Sequence, residues 1–313
     1  PAVIVCRSEE LAPFPEMQEL AQKRMEQNAQ TLLETFPDSG RTGYLLRRTF
    51  DEVTQVVDEL YDELSVSAFR PKFCELEFSA RGALPGVAFA GERCRGVVEG
   101  FVDRVDVWQS GGRPYVRVVD YKTGKKSFDY TNVLHGRGLQ MLLYLFALVR
   151  QGGHLLHGEP LPAGVLYFPA RIERVSVRDR LAQAEIEKER RKQLRRSGVL
   201  LNSDPVLEAM EPCGGSPRFL PYTLDKEGRK TGDLASFVQL AQLERFVFRT
   251  VAALGDELAD GCIDPDPCIR DAKDSACAFC PYSEICAGHE QPRWLKKITA
   301  EEFWQTLERR EHG

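Results

Sequence analysis

Val118-Val119-Asp120-Tyr121-Lys122 ends one apolar run, and Gly100-Phe-Val-Asp103-Arg-Val-Asp106 lies on the run before it. On strands, side chains alternate between faces, so Asp120 and Lys122 share one face and Tyr121 takes the other. Hydrolysis of a phosphodiester needs a hard cation on the phosphate, a water made nucleophilic, and relief of charge on the leaving oxygen. Two aspartates offering oxygens to Mg²⁺, beside a lysine that orients the water or phosphate, meet those needs. Mg²⁺ accepts a few carboxylates and keeps waters, so Asp103 and Asp120 suffice as ligands. An isolated Asp-x-Lys at a strand end is ordinarily a surface ion pair of little energetic weight. Here the two valines predict a buried strand and a second acid sits on its neighbour, which favours chemistry. Asp106, three residues past Asp103, is expected on the opposite face, structural or paired with Arg104.

A second cluster is Cys277-x-x-Cys280, completed by Cys286, with three thiols inside ten residues. Such spacing suits zinc or an iron-sulfur cluster, both of which ordinarily take four protein ligands. Cys268 is close enough in sequence to complete a zinc knuckle, and Cys6 is the N-terminal alternative. Cys74, Cys94, Cys213 and Cys262 show no ligand spacing and read as small buried hydrophobes.

These groups need elements to hold them. Apolar residues at three- and four-residue spacing (Phe50, Val53, Val57, Leu60, Leu64) predict helices over 14–69, broken at Pro37-Asp-Ser-Gly40. Strands are expected at 73–78, 86–90, 96–108 and 115–121, the last two joined as a hairpin through Ser110-Gly-Gly112. A helix over 138–150, a buried strand over 164–169, a charged helix over 180–196 and an amphipathic helix over 237–258 follow. The order predicts an α/β fold with a mixed central sheet flanked by helices. Three regions are expected: a helical segment to residue 70, a core over 71–260, and a Cys-rich segment and tail over 261–313.

With 313 residues, 42% hydrophobic, the chain can bury a sizeable core, and its net charge of -5 excludes a uniformly basic coat for nucleic acid. No apolar run approaches the roughly 20 residues of a membrane helix, and no signal peptide is evident, so a cytoplasmic protein with reduced thiols is expected. The start at Pro1 rather than Met suggests a fragment. No Gly-x-x-x-x-Gly-Lys-Ser/Thr loop is present, so ATP hydrolysis is not expected of this chain.

Gly100-x-x-Asp103-Arg-x-Asp106, Asp120-Tyr-Lys122 and Gly136-x-x-Leu-Gln140-x-x-x-Tyr144 follow one another in the order found in the RecB-like branch of PD-(D/E)XK nucleases. The chain most closely resembles the C-terminal domain of AddB-type subunits, over residues 50–289. The resemblance implies a restriction-endonuclease-like core with Asp103, Asp120 and Tyr121 in the metal set and Lys122 catalytic. It places Gln140 and Tyr144 on a helix beside the site and makes Glu75 a candidate further acid. It also implies an upstream histidine, which this chain lacks before His135. His135 itself reads as a hydrogen-bonding loop residue. Cys277, Cys280 and Cys286 would join a distant upstream cysteine around a 4Fe-4S cluster.

The activity implied is Mg²⁺-dependent exonucleolytic cutting of one DNA strand, with an AddA-like motor as partner, during recombinational repair. A stand-alone RecB-like or CRISPR-associated exonuclease and a silent DNA-binding scaffold are the alternatives. Lys125 and Lys126, just past the catalytic strand, could touch the DNA backbone, and so could the basic stretch 188–196. The latter reads more simply as a solvated helix face.

Overall fold

The structure is a computed structural model that describes residues 13–35, 40–124, 127–171, 183–212, 214–271, 274–286 and 292–312. Two helices, α1 (Phe14–Thr35) and α2 (Gly40–Val66), precede the sheet. Helix α2 buries Val56, Val57, Leu60 and Leu64 along one stripe, as the spacing predicts, and it buries Glu59 and Glu63 on the same stripe. Two acids on a core-facing stripe require cations in the core, and the sheet supplies them.

The strands are β1 (Arg70–Phe78), β2 (Val87–Ala90), β3 (Arg95–Val98), β4 (Gly100–Ser110) and β5 (Arg113–Lys122). The run expected at 96–108 is divided at Glu99. Its first part pairs with β2 as a separate ribbon, and β4 enters the main sheet. The β2–β3 turn is held by a residue distant in sequence, Asp256, which accepts hydrogen bonds from the backbone N–H groups of Glu92, Arg93 and Cys94.

A short helix, α3 (Tyr130–Leu134), leads to α4 (Gln140–Gln151) and a further turn, α5 (Gly153–Leu156). Asp129 caps α3 by accepting from the Thr131 and Asn132 amides. Every residue of α4 from Met141 to Leu148 is buried, which explains a helix apolar all round. The crossover returns to β6 (Leu161–Pro169), parallel to β5. Both faces of β6 are covered, so its sequence is a continuous apolar run rather than an alternating one. Antiparallel β7 (Ser197–Leu201) follows α6 (Gln183–Leu194), and the sheet order is β1-β4-β5-β6-β7 with an added strand after β7.

That added strand belongs to a region the periodicity did not foresee: α7 (Asp204–Met210), a small ribbon of β8 (Tyr222–Leu224) and β9 (Lys230–Gly232), and β10 (Leu234–Ala235) parallel to β7. Elements this short carry too few residues to show a period. The long helix α8 (Phe237–Ala259) starts at a capping box of Ser236 and Gln239 and buries Leu240, Leu243, Phe246 and Val247. The Cys-rich segment pairs β11 (Cys268–Ile269) with β12 (Arg293–Trp294), and α9 (Ala300–His312) closes the chain. Phe303 and Trp304 of α9 pack their rings on Tyr130 at centroid distances of 5.0 and 5.9 Å.

Candidate active site

The β4–β5 ladder runs from Ser110↔Arg113 to Arg104↔Val119. Continuing that register by one residue sets Asp103 across from Asp120, and there the ladder opens. The Tyr121 amide, which a regular ladder would pair with backbone, instead donates to Asp103 Oδ2 at 2.8 Å. A backbone donor on an aspartate fixes the carboxylate and leaves its other oxygen available. Lys122 Nζ forms an ion pair with Asp120 Oδ2, with Asp120 largely buried and Lys122 partly exposed. The three groups read from the sequence therefore meet at one splayed strand pair.

Across the sheet the same level continues. Asp120 is in register with Tyr167 of β6, and Tyr167 with Ser197 of β7. Burial, and then the nearby Asp120 charge, push the Tyr167 phenol up to about 12, so it stays protonated at neutral pH and is a standing donor. Sequence reading missed Tyr167 because, inside an all-apolar strand, a tyrosine looks like core. Its position two residues before Pro169, level with Asp120, is visible only once the parallel register is known.

Lys122 and Tyr167 open onto a cavity of about 540 Å³ whose other walls include Gly124, Ser127, Arg171, Gln193 and Arg195. Helix α6 forms one side. The charged helix expected at 180–196 thus spans Gln183–Leu194 in its described part and roofs the site with Glu189 and Gln193. Its last two basic residues leave the helix. Arg195 donates to the backbone oxygens of Leu220 and Tyr222, and Arg196 is buried, so neither is free to lie along a DNA strand. Lys125 and Lys126 lie outside the described residues, as do Cys6 and Cys213.

Tyr144 and Gln140 do not line this cavity. The Tyr144 ring stacks on Phe78 at 5.0 Å, its hydroxyl accepts from the exposed Gln140 amide at 3.5 Å, and it occupies the space a side chain at Gly100 would need. Gly100 is thus a close-approach glycine at the head of the strand that carries Asp103. Gly100→Ala is expected to cost about 1–3 kcal/mol through this overlap. Tyr144→Phe, which removes the hydroxyl, should restore most of that loss in urea unfolding, whereas equal losses in the single and double variants would overturn the explanation.

Glu75 is exposed, and the β1–β4 register places it across from Asp103, between the Cys74↔Arg104 and Leu76↔Val102 pairs. Its φ of 52° is left-handed, an uncommon and costly backbone state for a glutamate within a strand. His135 caps the C-terminal end of α3 and is exposed. Partial desolvation, and then Arg293, Arg310 and Arg137, hold its pKa below the ordinary value.

The opposite face of the same strands holds a buried ionic cluster. Asp106 pairs with Arg104 and, at 2.8 Å, with Arg117, and Glu63 binds Arg117 Nη2 at 2.8 Å and Arg196 Nη2 at 2.6 Å. Glu59 binds Arg196 and Arg218. Burial works against the Glu63 charge, but Arg196, Arg117 and Arg104 outweigh it and lower the pKa to about 2. The Tyr121 side chain lies on this face, where Arg104 Nη1 donates to its hydroxyl at 2.7 Å. Any part Tyr121 takes in a metal shell therefore falls to its main-chain oxygen.

Two adjacent carboxylates fit Mg²⁺ in donor type and number, since that ion commonly takes one or two carboxylates and completes its shell with water and phosphate. The half-buried Cys277, Cys280 and Cys286 fit iron or zinc in donor type but not in number. Among the described residues no three His, Cys, Asp or Glu side chains converge on one point. The segment carrying them is anchored to the core: Arg270 pairs with the α3 cap Asp129, and Arg137 donates to Asp274 at 2.7 Å.

A mixed sheet that opens between two aspartates beside a lysine is an arrangement suited to a nuclease. Residues 8–287 match the PD-(D/E)XK nuclease superfamily, and the chain belongs to that family. Among curated proteins it is similar to an ATP-dependent helicase/deoxyribonuclease subunit of Moorella thermoacetica, 34% identical over 258 residues, covering 81% of this chain and 22% of that protein. Proteins of the same name from Oceanobacillus iheyensis and a Thermoanaerobacter species are each 28% identical, over 79% and 87% of this chain. The chain spans between a fifth and a quarter of the length of these relatives.

Proposed function

We propose that this chain is the DNA-cutting module of an AddAB-type helicase-nuclease, a Mg²⁺-dependent exonuclease that trims one strand while an AddA-like subunit unwinds the end. The observation that carries the reading is the opening of the β4–β5 ladder, with Asp103 held by the Tyr121 amide and Lys122 held by Asp120 at the mouth of a cavity. Relatives bearing a helicase/deoxyribonuclease name support a place in a helicase-nuclease; recombinational repair of DNA ends, in the cytoplasm, is the setting proposed with it.

Asp103 and Asp120 would hold Mg²⁺, which would supply Lewis-acid charge for the scissile phosphate and for activation of the attacking water. Asp103 keeps one oxygen on the Tyr121 amide and presents the other to the site. Lys122, partly exposed, orients the water or the phosphate by donating from Nζ. Tyr167, in register with Asp120 and protonated at neutral pH, would offer its phenol as a donor on the same side. Helix α6 contributes Glu189 and Gln193 to the cavity wall facing Lys122 and Tyr167. For Cys277, Cys280 and Cys286 to give three thiolates to a 4Fe-4S cluster, with zinc as the alternative, the three thiols must draw together and a fourth ligand must come from a residue outside this trio.

The test is digestion of an end-labelled single strand with Mg²⁺ and, in parallel, with excess chelator. Nucleotide release only with Mg²⁺ is expected. Equal release in both arms, or none with Mg²⁺ present, overturns the proposal.

A further inference from the structure

Tyr121 is gripped from both sides of the sheet. On the front its amide N–H donates to Asp103, and on the back its hydroxyl accepts from Arg104, the residue after Asp103. Both bonds cross the point where the β4–β5 ladder has stopped, so they replace the backbone pairing that would set the strand separation. Asp103 rides on one strand there, and Asp120 and Lys122 on the other.

The back-side donor is itself fixed. Arg104 is 1% exposed, and its guanidinium contacts Asp106 through Nε at 2.9 Å and donates from Nη2 to Asp106 at 3.1 Å. Asp106 is held in turn by Arg117, and Arg117 by Glu63 of α2. The Tyr121 ring packs on Phe168 of β6, with centroids 5.2 Å apart, so the ring is backed by a neighbour where its phenol meets Arg104. A buried guanidinium with its carboxylate already in place has little freedom to follow a strand that drifts.

We propose that the Arg104–Tyr121 bond is a positioning brace that sets the gap between Asp103 and the Asp120–Lys122 pair, with Arg104 and Tyr121 as positioning residues that do not touch the DNA. The proposal rests on the assignment of Asp103 and Asp120 as the ligand pair. Catalytic groups misplaced by about 1 Å lose about 10²-fold in rate, so a brace of this kind is read in turnover rather than in affinity for DNA.

The decisive variant is Tyr121→Phe, which deletes only the hydroxyl and keeps the ring on Phe168 and Arg104 on Asp106. In the metal-free protein, hydrogen exchange of the peptide covering 119–123 is expected to quicken at least ten-fold, with exchange in α8 unchanged. Calorimetric titration with Mg²⁺ alone should show weaker binding, and single-strand digestion should show kcat lowered about ten-fold with KM held within two-fold. Arg104→Lys, which keeps the charge but loses the planar fork, should move the same readouts the same way. Unchanged exchange, Mg²⁺ affinity and kcat in Tyr121→Phe would overturn the brace. Accelerated exchange throughout the molecule would mean a merely structural role, and would overturn it equally. If Asp103→Ala binds Mg²⁺ as the parent does, the ligand assignment has failed instead, and the metal-free exchange result then judges the brace separately.

Discussion

Asp120→Ala and Lys122→Ala should each lower the Mg²⁺-supported rate of single-strand digestion by about 10²–10³-fold, the range seen when one preorganised charge-stabilising group is removed. The two losses have different origins. Removing Asp120 takes away a proposed metal ligand and the anion that pairs with Lys122, so Mg²⁺ binding should weaken as well as turnover. Removing Lys122 leaves Asp103 and Asp120 intact, so Mg²⁺ affinity should persist or rise while kcat falls. The double variant should be scarcely worse than Asp120→Ala alone, because groups that act as a unit are not additive. Initial rates at saturating Mg²⁺, with metal titrations on each variant, check all three statements. Cutting at the parental rate by both single variants would remove the assignment of this strand pair as the active site.

Glu63→Ala should be the most damaging change to stability, at about 3–5 kcal/mol, because it strands buried cations rather than merely deleting a contact. In the native protein Glu59, Glu63 and Asp106 face Arg104, Arg117 and Arg196 in a region closed to solvent. Without Glu63, two acids remain among three buried guanidiniums, and Arg117 Nη2 and Arg196 Nε lose their acceptor. Urea unfolding measures the loss, and a change below about 1 kcal/mol would show that the cluster is not energetically linked to the fold.

The acid response carries the same signature. The Glu63 pKa is lowered from 4.5 to about 2 in the folded protein, so its contribution is fully present above pH 4.5. It is lost as pH falls from there toward 2. The parent should therefore lose stability on acidification through that window, and Glu63→Ala should show a shallower slope there.

Much of the candidate site was legible from one dimension. Strand alternation placed Asp120 and Lys122 together and Tyr121 apart, and a buried strand was readable from Val118 and Val119. The same alternation separated Asp106 from Asp103, and Asp106 is found on the far face with Arg104 and Arg117. These inferences succeed because side-chain direction on a strand is a local property with a period of two. Helices α2, α4 and α8 were readable for a similar reason, since each is long enough to display its period.

What the chain alone could not disclose depends on which distant residues become neighbours. The basic run ending at Arg196 reads as a solvated surface, yet Arg196 is buried because Glu59 and Glu63, more than 130 residues earlier, arrive beside it. Tyr167 joins Asp120 only through the parallel β5–β6 register, and Glu75 faces Asp103 only through β1–β4. The sequence by itself determined the chemical types, their faces and the strands that bear them, because those follow from local backbone geometry. Only the tertiary structure decided the opening between β4 and β5, the α6 roof and the charge balance beneath, because each is a sum of long-range pairings that no local pattern encodes.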